Sequence, residues 1–115
     1  MPAPGSIQTQ TATIAQGDSL SDAVDCSFGT PRMLVTPSDW NYSGGISFQA
    51  SPDGLTFYDV FGSDGKETTM PMTQNAGYAL SGNLSWAAFI KIRAGTRQDP
   101  VEQDADRQFT LILQQ

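Results

Sequence analysis

The stretch RQFTLILQ, residues 107–114, decides the fold class. Phe109, Leu111 and Leu113 share one parity while Gln108, Thr110 and Gln114 share the other, and a period of two marks a strand with one face on a core. Ile112 breaks the polar side, so either this strand is covered on both faces or Ile112 meets a partner. The stretch AFIKIRA, residues 88–94, repeats the pattern. There Ala88, Ile90 and Ile92 alternate with Phe89, Lys91 and Arg93, and a core face built on Ile90 and Ile92 puts both cations in water.

Outward from these two segments, helical spacing is hard to find, and apolar runs are short and bounded by Gly, Pro, Asn, Asp and Ser. The strand candidates are 7–14, 23–28, 32–36, 45–50, 56–61, 67–70, 76–80, 87–94 and 108–114. SPDGLT at 51–56 and GSDGK at 62–66 each set Asp-Gly between apolar runs, a hairpin signal. Two longer connections stand out: TPSDWNYSGG at 36–45, with Trp40 and Tyr42, and GTRQDPVEQDADR at 95–107, with four acids. The expectation is an all-β chain folded as a two-sheet antiparallel β-sandwich of jelly-roll type, with eight or nine short strands. Residues 1–6, with Pro2, Pro4 and Gly5, read as an extended N-terminal arm before a single domain at 7–115.

Composition narrows the function classes. Twelve acidic residues against six basic ones give a net charge of −6, which repels a phosphate backbone and argues against direct nucleic-acid binding. There is no histidine, and the single Cys26, in the apolar-flanked AVDCSF, reads as a small buried hydrophobe. Zinc held by nitrogen and sulfur ligands of one chain is thereby excluded, and no cofactor is expected. The start MPAPGSIQTQ has neither a basic nor an apolar signal region, and no stretch has the length of a membrane span, so a soluble protein made in the cytoplasm is expected.

AQGDSLSDAVDC, residues 15–26, spells the Gly-Asp-Ser-Leu of a large hydrolase family around Ser19. A serine hydroxyl needs a positioned base, usually histidine, and that family sets its serine after a buried strand of an α/β sheet. Neither is present. The preferred reading is a turn at Gly17 and Asp18, with Ser19 or Ser21 bonding nearby backbone. With no catalytic constellation, the chain is not expected to be an enzyme.

Three other candidates come from the long connections and the arm. Asp99, Glu102, Asp104 and Asp106 are hard oxygen ligands, but the EF-hand pattern is absent, and an acidic surface loop paired with Arg97 and Arg107 is the ordinary explanation. Trp40, Tyr42, Phe57, Tyr58 and Trp86 could form a carbohydrate platform, with Trp40 and Tyr42 expected to be the most exposed. A free arm, many strand edges and nothing catalytic point instead to assembly by shape.

The segments QGDSLSDAVDC, ISFQASPDGLTFYDVFGSDG, FIKIRAGT and PVEQDADRQFTLILQQ resemble the small β-rich virion proteins encoded in the structural gene blocks of tailed bacteriophages and prophages. Some similar proteins are capsid decoration, or cement, proteins. The resemblance runs from about Gly17 to the end, and CSFGTPR at 26–32 departs from it where a more glycine-rich turn is expected. It implies a module that binds other virion subunits and carries over no functional residue. On that reading the protein sits on the outer capsid surface, is a dimer or trimer, and bridges major capsid subunits. Residues 2–9 (Pro2, Pro4, Ile7, Thr9) would act as a clip, and the 95–107 loop (Arg97, Asp99, Glu102, Asp104) as a docking surface. Trp40 and Tyr42 would be packing anchors. The alternatives are a carbohydrate-binding or host-attachment module of a tail or fibre, and a head-completion or tail component.

Overall fold

Alternation in the two longest strands places the core. The structure, a computed structural model, describes residues 6–42, 44–80 and 82–115. In chain order the strands are β1 (Ile7–Ile14), β2 (Val24–Asp25), β3 (Thr30–Val35), β4 (Ile46–Ser51) and β5 (Tyr58–Asp59). After these come β6 (Thr69–Met70), β7 (Gly77–Ala79), β8 (Phe89–Ala94) and β9 (Arg107–Gln114), with a short 3-10 turn at Gly82–Leu84.

All strand pairs are antiparallel and form two sheets, ordered β1-β9-β3-β7 and β2-β8-β4-β5, with β6 also against β4. The pairs β1–β9, β2–β8, β3–β7 and β4–β5 nest inside one another. Ala12, Ile14, Leu34, Phe109, Leu111 and Leu113 of the first sheet, with Val24, Ile46, Phe48, Ala50, Ile90, Ile92 and Ala94 of the second, are buried in one core cluster. Burying each large member contributes about 1.5–3 kcal/mol relative to leaving it exposed.

Both Asp-Gly hairpins form. Gly54 and Gly65 take the left-handed φ values of 81° and 79° that these turns demand. In the first, the Ser51 hydroxyl accepts from the Gly54 N–H at 2.8 Å, and Asp53 Oδ1 accepts from Leu55 at 2.9 Å and Thr56 at 3.2 Å. Those backbone donors hold the Asp53 carboxyl below its ordinary pKa.

Two expectations are corrected here. The strands read at 23–28 and 56–61 shrink to Val24–Asp25 and Tyr58–Asp59, each pairing at only two positions although the partner strands β8 and β4 run further. Arg93 is buried, not in water. Of the proposed clip, Pro2 and Pro4 lie outside the described residues, while Ile7 and Thr9 are fixed in β1 opposite Gln114 and Ile112.

Candidate functional site

The serine turn is a structural joint. Gly17 has φ 88°, and its N–H donates to the Gln103 carbonyl while the Gln103 N–H donates to the Asp18 carbonyl. The Ser19 carbonyl accepts from the Ala94 N–H. The Ser21 hydroxyl donates to the Asp22 carbonyl and accepts from the Ile92 N–H, each at 2.8 Å. This segment therefore ties β1, β8 and the acidic loop together.

Trp40 corrects the aromatic expectation. It is 3% exposed and packs edge-on against Phe109 at 5.3 Å and Tyr42 at 6.1 Å between ring centroids. It roofs the core beside β9, so neither ring face is free to stack on a sugar. Tyr42 is half-buried and shares with Asn41, Met72, Thr73 and Gln74 an open cleft of about 240 Å³ over that roof. Trp86, in contrast, is 50% exposed, on the loop leading into β8.

The acidic loop is anchored by one buried cation. Arg107 lies on the core parity of β9, and its guanidinium donates to the Asp39 carbonyl at 2.7 Å, Asn41 Oδ1 at 3.2 Å and Gln103 Oε1 at 3.2 Å. It also pairs with the carboxylates of Asp39 and Asp104. Arg97 departs from expectation: it pairs with Asp59 at 3.2 Å, beneath the Phe61 ring, and not with the loop acids. Asp99, Glu102, Asp104 and Asp106 are exposed, and no three acids or thiols converge as a metal site among the described residues.

Arg93 is the second buried cation, and the sequence reading missed it. Its Nε donates to the buried Ser47 hydroxyl at 2.9 Å, and its two terminal nitrogens reach Asp59 at 2.8 Å and Glu67 at 2.9 Å. Burial alone would push the Asp59 carboxyl up, but hydrogen bonds from Arg93 and Gln49, with the charges of Arg93 and Arg97, hold it below its ordinary value. The available signal was two carboxylates in the segments that flank β4, facing a cation in β8. Cys26 is buried, and burial with the nearby Asp25 charge pushes its thiol up to about 12.

The Arg93 network puts charge on the outer side of the five-stranded sheet. The outer side of the four-stranded sheet differs. Register aligns Thr9, Ile112, Met33 and Ala79 in one row, and Thr11, Thr110, Val35 and Gly77 in the next. Ile7 with Gln114, and Thr13 with Gln108, extend the face at either end. None of these residues is charged. Ile112, left open from its sequence, sits near the middle, flanked by Met33, which is 37% exposed and lies against Gly77. Arg32, the extra residue of the β3 bulge, is exposed beside Met33 and sets one cation at the margin of these rows. Of the residues picked from sequence, Ile7 and Thr9 belong to this face, whereas Trp40, Tyr42, Asp104 and Arg97 serve the body of the fold.

Comparison with protein-family models, curated proteins and solved structures returned no match.

Proposed function

We propose that the chain is a non-enzymatic structural protein of a bacteriophage virion, a decoration or cement protein that binds the outer capsid surface and bridges neighbouring major capsid subunits. The observation that carries this reading is the outer face centred on Ile112, Met33 and Val35, whose paired rows carry no charge in a chain of net charge −6. A face with an apolar centre, threonine hydroxyls around it and its one cation at the margin can be dehydrated at its centre against another protein at little cost. The nested pairing of β1 with β9, β2 with β8, β3 with β7 and β4 with β5 supports a jelly-roll reading of the fold, an architecture that viral capsid domains use.

Docking that occurs only on the assembled lattice stabilises that lattice by mass action, about 2.7 kcal/mol per site at a hundredfold excess over Kd. An arm before Ser6, with Pro2 and Pro4, would add reach to the docked module. The test is titration of the protein onto shells assembled without it. Saturation at a fixed multiple of lattice sites, shells that survive higher temperature, and loss of binding in Ile112→Lys are expected. Shells that take up no protein, or that bind Ile112→Lys as well as wild type, contradict the reading.

A further inference from the structure

β1 is the outermost strand of its sheet, and its backbone shows which groups point away from β9. The Gln115 N–H donates to the Ser6 carbonyl at 3.1 Å, which makes Ile7 and Gln114 a pair that exchanges no hydrogen bonds. Even-numbered residues of β1 therefore bond to β9, and odd-numbered ones face the other way. Thr13 obeys this rule. Its N–H donates to Asp22 Oδ1 at 2.9 Å and its carbonyl accepts from the Asp22 N–H at 3.2 Å, so Asp22 closes that end of the edge. Ahead of it, the outward N–H and carbonyl groups of Ile7, Thr9 and Thr11 meet no hydrogen-bond partner among the described residues.

Unguarded edges of this kind recruit strands, and proteins usually blunt them with charge, proline, a bulge or short length. The other outer strands here are short: β2 and β5 have two residues each and β7 has three. β1 has eight residues, IQTQTATI, without charge or proline, and its register with β9 is unbroken. The edge is also self-complementary, because its open groups repeat on alternate residues on both sides of Thr9.

We propose that this edge pairs with the same edge of a second copy of the chain, antiparallel, with the two-fold axis at Thr9. Thr9 then exchanges both backbone hydrogen bonds with Thr9 of the second copy, and Ile7 does so with Thr11 of the second copy. The occupant is a second copy for two reasons. A chain of charge −6 repels itself, and the open stretch of this edge from Ile7 to Thr11 carries no charge, so two copies pair there without apposing carboxylates. Ile7, which is 65% exposed, gains a cross-strand neighbour in the Thr11 methyl. The product is one continuous sheet, β7-β3-β9-β1 joined to its copy, with a doubled outer face. The proposal stands independently of capsid docking, because it is read in solution without shells.

Sedimentation of the full chain across a dilution series tests it, alongside two substitutions. Thr9→Pro removes a donor that points away from β9, so the fold survives and dimer Kd rises at least about tenfold. Thr9→Lys and Thr9→Glu each weaken self-association, and mixing them restores a dimer by setting opposite charges across the axis. Hydrogen exchange should show Thr9 and Thr11 amides gaining protection with protein concentration. A wild-type chain that stays monomeric up to about 1 mM overturns the proposal. So does a dimer that Thr9→Pro and Thr9→Lys leave unchanged, or amide protection at Thr9 and Thr11 that requires a different protein.

Discussion

Replacing Arg93 by alanine is the sharpest perturbation of the fold's electrostatics. The Arg93 side chain is 7% exposed, and its removal leaves the fully buried Ser47 hydroxyl without its guanidinium partner, a loss of about 1–3 kcal/mol. It also leaves Asp59 and Glu67 without the cation they share. Breaking a buried pair costs about 3–5 kcal/mol, but both carboxylates keep some contact with water, so the low end applies and, with the Ser47 loss, the whole change should cost about 4–6 kcal/mol. For a domain of this size that is a large part of the total stability.

The pH dependence follows from Asp59. Its folded pKa lies below its unfolded one, so its stabilisation is present above the unfolded value and is lost as pH falls through the folded value. In Arg93→Ala the largest cause of the depression is gone, leaving only Gln49 and Arg97, while burial, which pushes the carboxyl up, remains. The gap between wild type and variant is therefore widest near neutrality and narrows on acidification. Urea unfolding at about pH 7 and about pH 3.5 measures both quantities. A gap below about 1 kcal/mol at neutrality, or one that does not change with pH, refutes the reasoning.

Further predictions concern the core and its joints. Phe109→Ala should destabilise by about 3–5 kcal/mol in chemical denaturation, because it hollows the core beneath Trp40. Trp86→Phe should leave a blue-shifted emission that acrylamide quenches poorly, and Trp40→Phe a red-shifted emission that it quenches readily, as their 3% and 50% exposures require. The Cys26 thiol, pushed up to about 12 and buried, should resist disulfide reagents at about pH 8 until denaturant is added. Gly45→Ala should cost more than about 1 kcal/mol in the same unfolding assay, since φ is 91° and a Cβ would sit 2.3 Å from the Met70 carbonyl oxygen.

Legibility of the fold tracked strand length. β1 matches the sequence reading at both ends and β9 to within a residue, since eight residues of alternation are enough to display a period of two. β2 and β5 were overextended because each pairs with its neighbour at only two positions, and the extent of a pairing is invisible along the chain. Trp40 was misplaced by its setting among Ser, Asn and Gly. Nothing local shows that its loop folds back over Phe109, a residue 69 positions later in the numbering. Arg93 and Arg107 break the apolar-in, charged-out rule because distant segments supply carboxylates to them, Asp59 and Glu67 to Arg93 and Asp39 to Arg107. Local alternation cannot display that pairing. Ile112 was the informative irregularity: an apolar residue on the polar parity of β9 marked the face that register then assembled around it.

That face is the centre of the functional account, and oxidative footprinting of the protein on and off assembled shells tests it most directly. The account predicts that Met33 and Ile112 lose reactivity on docking, while Phe61 and Tyr58 on the other sheet, and Trp86 on its loop, stay as reactive as in the free protein. Met33 fully reactive on saturated shells, with Phe61 or Tyr58 protected instead, would contradict it.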